Sequence, residues 1–270
     1  MFKIIDKYKL ASKTHYVLIE APIISAKAQP GQFVIVRIHQ QGERIPLTIA
    51  DFERNQGTIA LVFQEVGKTT QLLASLRKGD YLLDVLGPQG NPTEIALYGK
   101  VILVGGGIGV AAVFPIARAL KEKGNVVTAI IGYRSKEYVF WEEKMRLVTD
   151  QLFITTNDGS YGQKGFVTDI LKTLIAEDYK PSVIFAIGPA VMMKAVAELT
   201  RPYNIKTIVS LNSLMVCAMG MCGACRVEVG GKTYFTCMDG PDFDGHQVNF
   251  DLLIKRLDTY REEECYCCKK

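Results

Sequence analysis

Nowhere in this chain do apolar residues run unbroken for the roughly 20 positions that a membrane-spanning helix needs. The longest candidate, KVILVGGGIGVAAVFPIARAL, is interrupted by glycines and flanked by charge. No run of lysine or arginine marks a nucleic-acid surface, and the net charge of +4 is modest. The opening residues, MFKIIDKYKL, alternate apolar and polar side chains and lack the apolar stretch of an export signal. Histidine is scarce: the three, His15, His39 and His246, stand far apart, and for His246 a structural hydrogen bond is expected in place of metal ligation. There is no internal repeat. These absences argue against membrane and nucleic-acid partners and lead to the expectation of a cytoplasmic protein.

What the chain does have is cysteine, and most of it in one place. Cys217, Cys222 and Cys225 fall within nine residues in VCAMGMCGACR, and Cys237 follows in YFTCMDGP. In a reducing compartment, clustered cysteines point to metal ligands or redox groups more than to disulfides. Cys265, Cys267 and Cys268 lie in a charged tail and are read as part of a mobile end.

A length of 270 residues suggests about two domains, at roughly 150 residues each. Residues 1–97 carry β-rich segments, THYVLIEAP, GQFVIVRIH, RIPLTIADF, GTIALVFQEV and DYLLDVLGP, parted by Gly, Pro, Asn or Asp. Six or so such strands, with a short helix in GKTTQLLASL, predict a small antiparallel barrel. Residues 98–212 alternate strands with helices of ten or more residues, which predicts a five-stranded parallel, doubly wound sheet. The predicted helices include IGVAAVFPIARALKEKG, closed by Gly124, and YVFWEEKMRLV. Residues 213–250 hold the cysteines and a hairpin, RVEVGGKTYFTC; residues 251–270 form a short amphipathic helix and tail. The fold class is thus a β-barrel plus an α/β domain with a small cysteine segment.

Several loops have the chemistry of nucleotide sites. Gly105, Gly106, Gly107 and Gly109 join the first α/β strand to its helix, where glycines admit a pyrophosphate and helix N–H groups attract it. A glycine run alone is also just a tight turn. Asp158 and Gly159 leave the third strand; a carboxylate there accepts a ribose 2′-OH and repels a 2′-phosphate, favouring NAD over NADP, although Asp-Gly is by itself an ordinary turn. Gly188 and Pro189 leave the fourth strand. All three loops belong to the carboxyl edge of a parallel sheet, where such folds bind ligands. In the barrel, Arg44 can pair with a phosphate and Thr48 can hydrogen-bond a flavin ring edge, with Pro46 and Leu47 between them. Gly67 and Thr70 mark a helix start that suits an anion. Each of these alone is more simply a surface arginine or a turn.

Taken together, RIPLT, GGGIG and their order resemble the ferredoxin–NADP reductase superfamily, in which a flavin-binding barrel precedes a nicotinamide domain. The resemblance implies FAD on the barrel and NAD(H) on the α/β domain. Pro46-Leu47 departs from the aromatic that stacks on flavin in many of these reductases. Cys217-x4-Cys222-x2-Cys225-x11-Cys237 opens with the spacing of plant-type [2Fe–2S] proteins. Four cysteines also suit zinc; beside a flavin module the spacing favours iron. Two kinds of subunit resembling this chain carry such a C-terminal cluster. One is the electron-transfer subunit of dihydroorotate dehydrogenase B; the other is the small subunit of NADH-dependent reduced ferredoxin:NADP oxidoreductases. The ending GPDFDGHQVNFD resembles the second. That resemblance implies electron bifurcation in a heterodimer with a larger flavin and iron–sulfur subunit, similar to the glutamate synthase small subunit, through which ferredoxin acts. It also implies no catalytic acid or base in this chain.

Overall fold

The computed structural model describes residues 1–177 and 179–259, so Cys265, Cys267 and Cys268 lie outside the described residues. The N-terminal unit is a seven-stranded antiparallel sheet: β1 (Phe2–Ala11), β2 (Thr14–Glu20), β3 (Phe33–Arg37), β4 (Arg44–Glu53), β5 (Thr58–Gln64), β6 (Tyr81–Leu82) and β7 (Asp84–Gln89). Their order is β6-β1-β2-β5-β4-β3-β7. The edge strands β6 and β7 are adjacent in the chain, which curls the sheet into a nearly closed barrel. Strand alternation fills it: Val34 and Val36 of β3 point inward with Ile49, Ile59, Leu61 and Phe63. Helices α1 (Pro22–Lys27) and α2 (Lys68–Ser75) fill gaps between strands. The opening residues become β1, and DYLLDVLGP divides into β6 and β7.

The second unit follows the predicted alternation. Strands β8 (Lys100–Gly106), β9 (Val126–Tyr133), β10 (Gln151–Thr156), β12 (Val183–Ile187) and β13 (Lys206–Ser210) are the five parallel strands, with a two-residue parallel edge, β11 (Gln163–Lys164). Helices α3 (Val110–Glu122) and α4 (Glu142–Val148) cover one face; α5 (Val167–Ala176) and α6 (Ala190–Thr200) cover the other. Within β8, Val101 and Leu103 face α3 while Ile102 and Val104 face α5 and α6. Both faces are buried, which is why β8 reads as a continuous apolar run. Helix α4 starts later than the sequence predicts. Trp141 has φ 58° and, with Phe140, turns into the apolar core against Phe114 and Tyr133, so Tyr138 closes a short 3-10 turn and VFW is not helical.

The C-terminal segment is not a free appendage. It forms the hairpin β14 (Arg226–Val229) and β15 (Lys232–Phe235), a turn of helix α7 (Thr236–Asp239), strand β16 (Asp242–Asp244) and helix α8 (Phe250–Leu257). Strand β16 pairs antiparallel with β13, making the α/β sheet seven-stranded in the order β11-β10-β9-β8-β12-β13-β16. Asn249 caps α8 by accepting the Leu252 N–H at 3.1 Å. Among the described residues no helix is long and apolar enough to cross a membrane.

Candidate functional site

The flavin-type motif lies on β4, whose partner β3 fixes its direction. Arg44 pairs with Arg37, Pro46 with Ile35, Leu47 with Val34 and Thr48 with Phe33. Cross-strand partners share a face. Arg44, Pro46 and Thr48 therefore point outward with Ile35 and Phe33, while Leu47 turns inward and packs on the barrel core. Leu47 can offer a ligand its backbone but not its side chain. Arg44 is exposed and forms no ion pair among the described residues, which leaves its guanidinium available to an anion. At the start of α2, Thr70 Oγ1 accepts the N–H groups of Val66 and Gly67, each at 3.0 Å, and donates to the Gly67 carbonyl at 2.9 Å. That hydroxyl is occupied in capping its own helix, so an anion there would meet the backbone N–H groups of Lys68, Thr69 and Thr70 and not the hydroxyl.

At the carboxyl edge of the α/β sheet the order reverses at β8: β9 and β10 lie to one side, β12 and β13 to the other. This is the switch point at which open α/β sheets bind ligands. Gly105 and Gly106 end β8, Gly107 and Gly109 turn into α3, and Gly188 and Pro189 lead from β12 into α6. The two loops are in contact. A Cβ on Gly109 would stand 2.3 Å from the Ile187 carbonyl oxygen, and one on Gly188 would stand 3.1 Å from the Gly106 Cα. Helix α3 has no side-chain cap and no acidic residue in its first turn; the Val110 N–H bonds the Gly107 carbonyl, so the helical run opens toward an anion at the Gly107–Gly109 turn. Asp158 and Gly159 form the turn after β10, two strands away from β8. The Ser160 hydroxyl and N–H, bonded to Asp158 Oδ1 at 2.7 and 2.9 Å, hold this carboxyl below the usual carboxylate range. It is therefore ionised at neutral pH.

The cysteine loop completes the arrangement. Cys225 and Cys237 are free thiols, 2% and 1% exposed, with their sulfurs 3.2 Å apart. Cys217 and Cys222 lie nearer the surface. The Met219 and Cys222 N–H groups point at the Cys217 sulfur from 3.5 and 3.4 Å and bring its pKa down to about 7. Burial, together with the Cys225 sulfur, pushes Cys237 up to about 12. A rim thiol already inclined to ionise and a buried Cys237 that needs a bound cation to do so suit a metal cluster. Among the described residues no three His, Cys, Asp or Glu side chains are placed to hold a single ion. The close Cys225–Cys237 pair and the x4-x2 spacing of the set suit a two-iron cluster. Ala218 takes a left-handed φ of 55° between Cys217 and Gly220, a strained conformation held because its side chain is buried on the barrel.

That burial links the parts. Phe33 and Ile35 of β3 form one apolar cluster with Ala218, Cys225 and Cys237. The same two residues are the register partners of Thr48 and Pro46. One strand thus separates the flavin-type motif from the buried cysteines. Phe33 and Ile35 were not among the sequence candidates; the one available signal was that FVIVR is apolar on both faces of a barrel strand. His246 has a structural role, as expected, with its Nε2 3.0 Å from Thr200 Oγ1.

This barrel, α/β sheet and cysteine loop define a ferredoxin–NADP reductase-like module with an added iron–sulfur segment. Residues 212–249 match the iron–sulfur cluster binding domain of dihydroorotate dehydrogenase B. The dihydroorotate dehydrogenase B (NAD⁺) electron transfer subunit homolog of Thermotoga maritima is 47% identical over 97% of this chain and 92% of its own length. The corresponding subunit of Bacillus caldolyticus is 36% identical over 88% of this chain and 94% of its own. A solved structure of the NADH-dependent reduced ferredoxin–NADP oxidoreductase, studied for flavin-based electron bifurcation, is 46% identical, covers 99% of this chain and 96% of that one, and superposes with a TM-score of 0.94. Phthalate dioxygenase reductase, at 16% identity and a TM-score of 0.63, shares the fold. The chain belongs to the family of dihydroorotate dehydrogenase B electron-transfer subunits and their homologues.

Proposed function

We propose that this chain is the flavin and iron–sulfur electron-transfer subunit of an NADH-dependent reduced ferredoxin:NADP oxidoreductase. It works in the cytoplasm beside a larger flavin and iron–sulfur subunit of the glutamate synthase small-subunit type, which handles ferredoxin. The near-full mutual coverage with the bifurcating enzyme supports this reading. The observation that carries it is β3, with Thr48 and Pro46 across one ladder and Cys225 and Cys237 packed on Phe33 and Ile35.

When bound, FAD exchanges a hydride with NAD(H) on one side and single electrons with a [2Fe–2S] cluster on the other. The chain's own residues hold and orient these groups. Arg44 pairs with a flavin phosphate and Thr48 hydrogen-bonds the ring edge, with Pro46 lining the same face. Gly67, Thr70 and the α2 N–H groups shape the far end of that site. The open N-terminus of α3 takes the nicotinamide pyrophosphate, with Gly105, Gly106, Gly107, Gly109, Gly188 and Pro189 giving it backbone access. Asp158, with Gly159 setting its turn, disfavours a 2′-phosphate. Cys217, Cys222, Cys225 and Cys237 hold the cluster. Phe33 and Ile35 exclude water between the two redox sites. No side chain here is required as a general acid or base.

A second reading, electron transfer in an NAD-dependent dihydroorotate dehydrogenase, is favoured by the names of several relatives. Anaerobically purified protein tests the primary reading. Flavin bands and an iron–sulfur shoulder that bleach with NADH, with iron and sulfide in equal amounts, are the expected result. A colourless zinc protein indifferent to NADH after FAD is supplied would overturn both readings. Copurification with an orotate-forming enzyme in place of the larger flavin subunit would move the assignment to the second.

A further inference from the structure

Two residues beyond Thr48, the β4–β5 ladder slips. Ile49 faces Leu61, but Asp51 faces Ala60, so Ala50 is an extra residue in β4. In an unbroken strand Asp51 would share the face of Ile49, which lies in the barrel core. The bulge turns Asp51 to the outer face instead, and bulges commonly re-aim a side chain in this way. Ala50 itself is fully buried in the apolar core of the α/β domain, beside Val62 and α3.

Asp51 enters that domain as a fork. Its Oδ1 accepts from Arg118 Nη1 of α3 at 2.8 Å, and its Oδ2 accepts from Lys144 Nζ of α4 at 3.0 Å. The Phe52 N–H holds Oδ1 at 3.0 Å. Aromatic rings set the two cations: Arg118 lies 5.4 Å from the Phe114 ring, and Lys144 lies 4.4 Å from both Phe114 and Trp141. Helix α3 is the one whose N-terminus opens from the glycine loop. In α4, Glu142 accepts the Tyr161 hydroxyl at 2.6 Å, from the loop that also carries Asp158. One carboxylate thus ties the flavin-motif strand to both helices behind the nucleotide loops.

We propose that Asp51 is a positioning residue: with Arg118 and Lys144 it sets the distance between the barrel's flavin site and the nucleotide site at the head of α3. This rests on the assignment of those two sites above. Hydride transfer requires the reacting atoms nearly in contact, and a misplacement of about 1 Å can slow it roughly a hundredfold. The ion pairs sit at the rim of the interface, with the Asp51, Arg118 and Lys144 side chains 22%, 31% and 37% exposed, so their role is to fix the geometry of the two domains more than to add stability.

The test uses the full chain loaded with FAD and its cluster. In rapid mixing, NADH gives up a hydride to become NAD⁺, and the flavin takes that hydride and one solvent proton. Asp51→Asn should lower the limiting rate of flavin bleaching by roughly ten- to hundredfold while leaving NADH affinity within about threefold. Trp141, the single tryptophan, gives a readout that needs no turnover: in Asp51→Asn without NADH its emission should shift and acrylamide should quench it more readily. Lys144→Met, which removes one arm and keeps the Arg118 pair, should show a smaller change of the same kind and covers the case in which Asp51→Asn does not fold. Wild-type limiting rates in a variant whose Trp141 has changed, or a slower rate with Trp141 unchanged, would overturn the proposal. If wild-type flavin is not bleached by NADH, the site assignment fails, and the proposal with it.

Discussion

The cysteine loop and the glycine loop are both short, irregular segments, proposed above to hold a redox group and its nucleotide, yet they are made in opposite ways. The cysteine loop contributes atoms. Its four sulfurs are the proposed ligands, and their spacing is written in the chain. The glycine loop contributes space. Gly109 and Gly188 matter because backbone from another strand occupies the place a side chain would take. A site made of ligands can be read along the chain, whereas a site made of clearances exists only after β8 and β12 have paired.

The contrast can be broken most severely at the cysteines. Cys225→Ser removes a buried ligand, and iron should fall from about two per chain to near zero, with loss of the cluster's visible and paramagnetic signals. Flavin content should persist, because the barrel does not depend on that sulfur. At the glycine loop the effect should depend on what the new methyl meets. Gly109→Ala directs it at the Ile187 backbone oxygen, which cannot yield, and should cost about 3 kcal/mol in urea unfolding together with NADH binding. Gly106→Ala directs it chiefly at the flexible Met192 thioether, with the Pro189 ring the next neighbour at 3.1 Å, and should cost less, nearer about 1 kcal/mol.

The smallest effect is expected where the cysteine segment joins both other units. Asp242 of β16 accepts from Thr93 Oγ1 at 2.6 Å, while its Oδ1 is buried with no partner. Burial raises its pKa above the ordinary carboxylate value. The folded protein therefore holds this proton at a pH where the unfolded chain has released it, so this group's contribution to stability falls as pH rises from the unfolded to the folded pKa. Asp242→Asn should match wild type in thermal melting at acidic pH, below the unfolded carboxylate pKa, and exceed it at neutrality. Equal melting at both would mean that Asp242 is not held protonated.

Much of the fold was legible because period-two and period-3.6 patterns are local. The barrel strands, the parallel α/β alternation, the RVEV–KTYF hairpin and helix α2 all follow from them. The misses have local causes of a different kind. MFKIIDKYKL became β1 because its apolar residues have a barrel to face. The YVFW segment stayed out of α4 because two aromatic rings gain more by burial against Phe114 and Tyr133 than a helical turn would contribute. Strand β16 was hidden because three residues, DFD, carry no periodicity; only the open edge of β13 makes them a strand. Thr70 was a reasonable anion ligand by type, but its own helix start claims the hydroxyl.

By itself, the sequence determined which groups are available: four thiols at cluster spacing, a glycine-rich turn after a buried strand, and an arginine and a threonine four residues apart. Those are covalent and local properties, and they survive in an extended chain. Only the tertiary structure decided what stands next to what. It placed Phe33 and Ile35 between Thr48 and Cys225, set Gly188 against Gly106, and used one extra residue, Ala50, to turn Asp51 out of the barrel toward Arg118 and Lys144. The reason is that side-chain direction in a strand is a matter of parity. Parity acquires meaning only when a particular face is buried against a particular neighbour, and that neighbour is chosen by the whole fold.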